Sequence, residues 1–358
     1  QRRCLSGLCS RRRTTEPWGH HAVPARELSM LSNLIKLAAV FAATGLSLAA
    51  YNHARARKAW APGSFGRTVR IDGVDLRVIE KGSGLPLLLL HGNGSVAEDF
   101  AISGMLDLAS AKHRVLAFDR PGFGESSRPA GKRWSAREQA DLFHEAAASL
   151  GIHRYLVLGH SWGAWIALEM ARRHAPSAAG LVLVSGYYYP PPRLDLALAA
   201  LPAVPLIGTA FCHTLLPLGV RFGWPSAMRT IFRPGPVSDA FSVSTREVAS
   251  RPSQLRSACV ETALMLGAAL LTKPSYRDIG VPTGIVAGAR DRLFDARRNA
   301  ERLHSEISGS LIEIVPNAGH MAHHSAPHAV LRMIDKVTCM SRLPKGGNPG
   351  DALSPAAR

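Results

Sequence analysis

Cysteine is scarce in this chain, and the few cysteines present follow no regular spacing. Five occur among 358 residues, namely Cys4, Cys9, Cys212, Cys259 and Cys339. Their number is odd, and no two have the short spacing typical of a zinc site. The sequence therefore predicts neither a disulfide framework nor a cysteine-based metal centre.

Acidic residues are also few, with 26 Asp and Glu against 43 Lys and Arg, which gives a net charge of +17. Residues 1–60 carry +8 of this charge. A basic protein can lie against anionic lipid or bind nucleic acid. The basic residues are scattered, however, and no recognised nucleic-acid-binding motif is present. We therefore expect no nucleic-acid partner.

Long apolar runs near the start of the chain are limited to one uncharged stretch of fifteen residues, 37–51, which is mostly Ala and Leu. A membrane-spanning helix needs about 20 residues, which the flanks supply if Lys36 snorkels. The sequence thus favours an uncleaved single-pass membrane anchor over residues 30–58. Three alternatives stay open: a cleaved signal peptide with a secreted or periplasmic product, a buried amphipathic helix, and an Arg-rich transit peptide.

Both ends of the chain lack a hydrophobic period. Residues 1–29 are Arg-rich and predicted to be disordered, with Met30 as a candidate initiator. Residues 341–358 are rich in Pro and Gly and are predicted to form a loose tail. Between these ends, residues 62–340 are long enough to bury one large core.

The most informative motif is Gly159-His160-Ser161-Trp162-Gly163. An apolar run typical of a buried strand precedes it, and a helical pattern follows. A strand, a sharp turn and a helix push the serine side chain outward, as in the nucleophile elbow of a hydrolase. Ser161 is therefore the predicted nucleophile.

A serine nucleophile needs a base and an orienting acid, and both follow in the chain order Ser, Asp, His. Asp291 comes just after a predicted strand at 282–288, and His320 follows another at 311–315. Asp295 is the alternative acid. His323 and His324 are the alternative bases. Asp291 also has the sequence position of a helix N-cap.

Two backbone N–H groups should bind the oxyanion. One belongs to Trp162, directly after the nucleophile. The other is predicted to be that of Asn93, in a glycine-containing loop after the apolar run 86–90. The direction of the Asn93 side chain is left open, and His91 is expected to hold this loop in shape.

The order of elements predicts a mostly parallel, doubly wound α/β sheet that begins with a β-hairpin around Asp72-Gly73. Helices are expected near residues 96–109 and 136–150. The alternation of predicted strands and helices stops between residues 187 and 276. This stretch contains no clear strand and should carry its own helices. We interpret this stretch as an inserted helical lid. Tyr187 and Tyr188 either line its substrate pocket or mark the exit of a strand.

These motifs together resemble those of the α/β-hydrolase superfamily, in its lid-bearing branch. The resemblance covers roughly residues 69–336 and implies an α/β-hydrolase fold. The sequence around the elbow is similar to epoxide hydrolases and haloalkane dehalogenases, which have Asp at the nucleophile position where this chain has Ser161. The resemblance with a serine therefore implies hydrolysis of an ester, lactone or thioester. The low charge of the predicted lid through Ala210 favours an apolar acyl group, although a lid face packed on the main domain would have the same pattern.

Two other functions remain open: a cofactor-free perhydrolase that uses the same residues, and a non-catalytic, membrane-tethered binding protein. No cofactor is expected. The histidines His320, His323, His324 and His328 lie close together in sequence, but no carboxylate or cysteine accompanies them there. We therefore expect no metal site.

Overall fold

The computed structural model describes residues 25–58, 66–189, 194–271 and 275–342. By its internal contacts the chain divides into residues 1–47 and 48–358. Most of the predicted leader and tail falls outside the described residues. Residues 25–29, predicted to be disordered, instead begin helix α1 (Ala25–Lys58). Residues 341 and 342 likewise end a helix.

Helix α1 is longer than the apolar run, residues 37–51, on which its prediction was based. Among the described residues, one segment (Ser29–Lys58) is long and apolar enough to cross a membrane, and its most apolar window is not buried. Leu34 and Phe41 are exposed in the first unit. In the second unit, Asn52 is fully buried. Its Nδ2 donates hydrogen bonds to the carbonyls of His213 and Thr214.

The second unit contains one eight-stranded sheet in the order β1-β2-β4-β3-β5-β6-β7-β8. Its strands are β1 (Arg67–Ile71), β2 (Val74–Lys81), β3 (Leu85–Leu90), β4 (His113–Phe118), β5 (Tyr155–His160), β6 (Ala178–Val184), β7 (Thr283–Gly288) and β8 (Leu311–Val315). Strand β2 pairs antiparallel with β1 and β4, and all other pairs are parallel. The predicted α/β-hydrolase fold with its hairpin is confirmed.

The central strands are apolar throughout because both faces of the sheet are covered. In β3, Leu88 and Leu90 enter one core cluster, while Leu87 and Leu89 enter the cluster on the opposite face. The hairpin turn holds Asp72 at φ 47° and Gly73 at φ 76°. Two positive φ values are the geometry that a tight two-residue hairpin requires.

Helices cover the sheet between its strands. They are α2 (Glu98–Ile102), α3 (Met105–Ser110), α4 (Ala136–Ser149), α5 (Trp162–Arg173), α11 (Arg302–Glu306), α12 (Ala322–Ser325) and α13 (Pro327–Arg342). The single helix predicted over residues 96–109 is wrong, because Gly104 at φ 77° divides it into α2 and α3. Helix α4 begins with a capping box between Ser135 and Glu138.

A helical insertion separates β6 from β7, as predicted. It consists of α6 (Leu194–Ala200), a 3₁₀ turn (Leu201–Ala203), α7 (Ile207–His213), α8 (Leu216–Phe232), α9 (Asp239–Ala249) and α10 (Pro252–Leu271). The described residues of this insertion form no strand. Many of its large apolar side chains are exposed, among them Phe222 and Leu206.

Candidate active site

Four loops at the carboxyl ends of parallel strands carry the predicted site residues. Asn93 follows β3, Ser161 follows β5, Asp291 follows β7 and His320 follows β8. Parallel strands end at the same edge of a sheet, which is where ligands bind in open α/β folds. Residues far apart in the sequence are thereby brought to one edge.

Ser161 occupies a strained turn between β5 and α5, with φ 52° and ψ −114°. Few non-glycine residues adopt a positive φ, so this conformation is typical of a functional position. The Ser161 N–H donates to the carbonyl of Val184 at 3.0 Å, which fixes the turn to the neighbouring strand β6. The geometry is that of a nucleophile elbow.

Glycine is required on both sides of this turn. A Cβ on Gly163 would collide with the Leu90 carbonyl, and one on Gly159 would collide with the Gly163 carbonyl. Backbone atoms cannot move aside as the end of a flexible side chain can, so a larger residue would not fit at either position. The two glycines therefore let α5 begin directly against β3 and β5.

Asp291 and His320 form a buried pair. Asp291 Oδ2 lies 2.9 Å from His320 Nδ1, and the second carboxylate oxygen accepts the N–H groups of Leu293 and Phe294. The capping role and the His-orienting role are thus filled by the same side chain, one by each oxygen. The alternative acid, Asp295, accepts from the N–H of Arg298 instead.

Aromatic side chains surround the pair. The Phe294 ring lies 5.4 Å from the His320 ring and 4.8 Å from the Tyr187 ring. The Tyr187 N–H donates to the Ser161 carbonyl at 3.4 Å. Tyr188 lines a small cavity beside Asp291. Both predicted pocket tyrosines are therefore buried next to site residues, while their contact with a substrate stays a prediction.

The predicted oxyanion loop lies against the elbow. A Cβ on Gly92 would stand 3.1 Å from the Ser161 Cβ. The side-chain amide of Asn93 turns to the insertion, where it donates to the Ala258 carbonyl and to Thr262 Oγ1 on α10. The backbone N–H of Asn93 is therefore the group that stays a predicted oxyanion donor. Trp162, the other predicted donor, is the first residue of α5.

A buried network holds this loop. His91 Nδ1 lies 2.8 Å from the Gly92 carbonyl, and His91 Nε2 accepts the Arg120 N–H at 3.0 Å. Burial, and then the Arg120 charge, hold the pKa of His91 well below its usual range. Arg120 Nη2 donates to the Gly92 carbonyl and to Glu261 of α10, each at 3.0 Å. The loop is thus tied to the insertion by a buried ion pair.

Sequence reasoning missed this ion pair, although a signal was present. Glu261 is the single acidic residue of α10, and an isolated carboxylate in an apolar helix usually has a buried partner. Asp119, beside Arg120, supports the segment after β4 through its side chain. Its carboxylate accepts from the N–H groups of Ala97 and Glu125 and from Arg77.

The rival histidines do not contact Asp291 but lie beside Asp99 of α2. Asp99 Oδ1 is 2.5 Å from His324 Nε2 and 3.2 Å from His323 Nε2. The expectation of no metal depended on the lack of a nearby carboxylate, and that premise is wrong. Asp99 comes from more than 200 residues earlier in the chain, so spacing alone gives no signal for it.

The fold, the elbow and the Asp–His pair define a hydrolase of the α/β class. Residues 87–333 match the model of the Alpha/beta hydrolase family. The chain belongs to this family.

Its similarity to characterised members is distant. The chain is 27% identical over 269 residues to haloalkane dehalogenase 2 of Mycobacterium tuberculosis, which covers 72% of this chain and 90% of that protein. The structure of a bacterial membrane phospholipase A matches with a TM-score of 0.62 and 24% identity, over 89% of this chain and 99% of that one. An esterase from Thermogutta terrifontis matches with a TM-score of 0.60 and 18% identity, over 78% of this chain and 100% of that one. At these identities, the two structures share the fold with this chain.

Proposed function

We propose that this protein is a serine hydrolase that cleaves carboxylic esters of apolar acyl chains, with Ser161 as the nucleophile. The observation that carries the proposal is the strained Ser161 turn at the sheet edge where Asp291 pairs with His320. These are the groups that covalent acyl transfer needs: a nucleophile, a base and an acid that orients the base.

In the proposed mechanism His320 takes the proton of Ser161 as the hydroxyl attacks the ester carbonyl. Asp291 holds the imidazole tautomer in which Nδ1 carries a proton, and it stabilises the imidazolium that forms. The backbone N–H groups of Asn93 and Trp162 bind the oxyanion. His320 then protonates the leaving alcohol, and a water molecule repeats the sequence to release the acid.

The serine separates this chain from the dehalogenases to which it is similar. An Asp nucleophile attacks the carbon of a halide or epoxide and forms an alkyl ester on the enzyme. A serine attacks a carbonyl carbon and forms an acyl-enzyme. We therefore expect no dehalogenase activity, despite the 27% identity.

An acyl lipid in a membrane is the substrate class that we propose. Helix α1 is apolar, exposed and long enough to span a bilayer, and Asn52 near its end is bonded to the loop after α7. The neighbouring insertion exposes large apolar side chains, namely Leu194, Leu198, Leu201, Val204, Leu206, Ile207, Phe211, Leu215, Leu218 and Phe222. A soluble protein rarely leaves so many together in water.

We call these exposed apolar side chains the exposed face of the insertion, and we propose that the insertion is a lid that lies on the bilayer. In this proposal α1 is an uncleaved anchor that keeps the protein at the membrane. A lid in lipid would let an acyl chain reach the elbow without passing through water. The fold shared with a membrane phospholipase A is in keeping with this role.

The test uses the full chain in detergent with p-nitrophenyl esters from acetyl to palmitoyl. We expect turnover with an optimum at the longer acyl chains, lowered by about 10⁴-fold or more in Ser161→Ala, since removal of a catalytic serine typically has an effect of this size. The melting temperature should stay unchanged. Undiminished turnover in the variant would disprove the assignment.

Two other outcomes decide between the remaining functions. Peracid formation from peroxide that exceeds hydrolysis would favour the perhydrolase. An unreactive Ser161, with neither turnover nor labelling by a fluorophosphonate, would favour the binding protein.

A further inference from the structure

A cluster of side chains suited to metal binding lies behind the predicted catalytic residues. It consists of Asp99 on α2, His160 at the end of β5, and His323 on α12. One oxygen or nitrogen of each lies within 4.8 Å of the others. Asp99 and His323 are fully buried, and His160 is almost so.

Several nitrogens of this cluster lack a hydrogen-bond partner. His323 Nε2 lies 3.2 Å from Asp99 Oδ1, but among the described residues neither His323 Nδ1 nor His160 Nδ1 has a hydrogen-bond partner. Buried polar atoms in native proteins are rarely left without a partner, since this is costly. A ligand among these three side chains would supply the partner.

The ligand types of the cluster suit a transition-metal cation. Two imidazoles and one carboxylate are ligands that zinc binds in proteins.

We propose that Asp99, His160 and His323 bind one divalent transition-metal ion, with zinc as the best fit. His324 Nε2 lies 2.5 Å from Asp99 Oδ1 and orients this carboxylate by a hydrogen bond. Imidazole nitrogen with carboxylate oxygen favours zinc over magnesium or calcium, which prefer oxygen alone.

Only modest rearrangement is needed. Zinc–nitrogen bonds of about 2.0–2.1 Å place tetrahedral ligand atoms roughly 3.4 Å apart. The ligand atoms of Asp99, His160 and His323 lie within 4.8 Å of one another, so rotation of the side chains has to shorten these separations by roughly an ångström. All three ligands are buried, which favours a structural ion over one that meets the substrate.

The place of the cluster gives such an ion a role. His160 Nε2 lies 3.2 Å from the carbonyl of His320, and His323 follows His320 by three residues. The ion would join α2, the strand that leads into Ser161 and the segment that carries His320. It would fix the backbone on which the site depends, without contact with the substrate.

The test measures metal in the full chain, purified without an affinity tag from zinc-supplemented medium. Because the cluster is buried, the ion should enter during folding. We expect about one zinc per chain in the wild type and in His153→Gln, an exposed histidine outside the cluster. Asp99→Asn and His323→Gln should each lose at least nine-tenths of it. Zinc-free wild-type protein should also melt at a lower temperature.

Well below one zinc per chain in the wild type would overturn the proposal. So would folded Asp99→Asn and His323→Gln variants that contain as much zinc as the wild type. If both variants fail to fold, wild-type protein grown with cobalt decides the question. Tetrahedral Co²⁺ with nitrogen and oxygen ligands should give intense visible absorption. Its absence would mean that the cluster is only a hydrogen-bonded network.

Discussion

The carboxyl edge of the sheet and the helical insertion differ sharply in how their side chains are held. At the sheet edge, Asp291, His320 and His91 are buried or nearly so, and each has a defined hydrogen-bond partner. In the insertion, Phe222 is 93% exposed and Leu206 is 84% exposed. Under the proposed function, the difference separates the catalytic groups, which need fixed geometry, from the surface that would meet the membrane.

Helix α10 is the part of the insertion that joins the two regions. It ties the Asn93 side chain through Thr262 and the Arg120 side chain through Glu261. The predicted oxyanion loop is thus held in part by the insertion. Variants at the sheet edge, on α10 and on the exposed face should therefore have effects of different kinds.

The largest effect is expected from Asp291→Asn. The Asn Oδ1 can still accept the N–H groups of Leu293 and Phe294, but its amide would face His320 Nδ1 and favour the wrong tautomer. The kcat for ester hydrolysis should fall by about 10⁴-fold, as for other triads. The matched variant Asp295→Asn should stay within a few-fold of the wild type. A larger loss of kcat in Asp295→Asn than in Asp291→Asn would contradict the assignment of Asp291 as the acid.

The next effect concerns stability. Glu261→Gln would leave the fully buried Arg120 without its charged partner. Breaking a buried ion pair typically costs about 3–5 kcal/mol, so the free energy of unfolding in urea should fall by about this amount. Glu145→Gln, at an exposed position on α4, is the control and should change it by less than about 0.5 kcal/mol. An unchanged stability of Glu261→Gln would show that α10 does not hold the loop.

A smaller effect is expected on the exposed face. If Phe222 enters lipid, Phe222→Ser removes an apolar contact worth about 1.5–3 kcal/mol. Hydrolysis of phospholipid vesicles should then decrease by roughly 10-fold or more. Hydrolysis of p-nitrophenyl acetate by the same variant is the internal control and should not change. An equal loss on both substrates would mean that Phe222 supports the fold rather than membrane contact.

The smallest effect on stability should come from the ion pairs of Glu247, which include Arg55 near the end of α1. Glu247 on α9 accepts from Arg55 at 2.8 Å and from Arg221 at 3.0 Å. Burial raises the pKa of Glu247, but the hydrogen bonds from these arginines outweigh it and lower the pKa. A carboxylate with a lowered folded-state pKa stabilises the fold above its unfolded pKa, about 4.3, and loses this contribution as the pH falls through the folded value.

Glu247→Gln should therefore lower the free energy of unfolding by up to about 1 kcal/mol at pH 7, the range for partly exposed ion pairs. The difference from the wild type should stay constant at higher pH and decrease once the pH falls below the unfolded pKa of about 4.3 toward the lower folded-state pKa of Glu247. Urea unfolding over a series from pH 7 to pH 3 measures this decrease. A difference that does not decrease over this series would show that the carboxylate charge is not its source.

The fold and the positions of Ser161, Asp291 and His320 at one edge of the sheet were predictable because both follow from local patterns, while the catalytic roles of these residues stay predictions. Apolar runs gave the strands, glycines marked the elbow, and Asp291 and His320 directly follow strands β7 and β8. The partners of Asp99 and Arg120 were not predictable in the same way. Their contacts join segments more than 100 residues apart, and no spacing in the chain encodes them.

The break of the predicted helix at Gly104 and the start of α1 at Ala25 also escaped prediction. A single glycine within an apolar pattern is compatible with a continuous helix. Residues 25–29 lie outside the predicted anchor over 30–58, in the Arg-rich leader that has no hydrophobic period.

The most direct test of the central claim is reaction of the full chain with a fluorophosphonate, followed by peptide mass spectrometry. The account predicts one adduct, on Ser161, which disappears in Ser161→Ala and is formed far more slowly in Asp291→Asn. No adduct, or an adduct on another residue that forms at the same rate in both variants, would contradict the claim that this edge of the sheet holds an active serine.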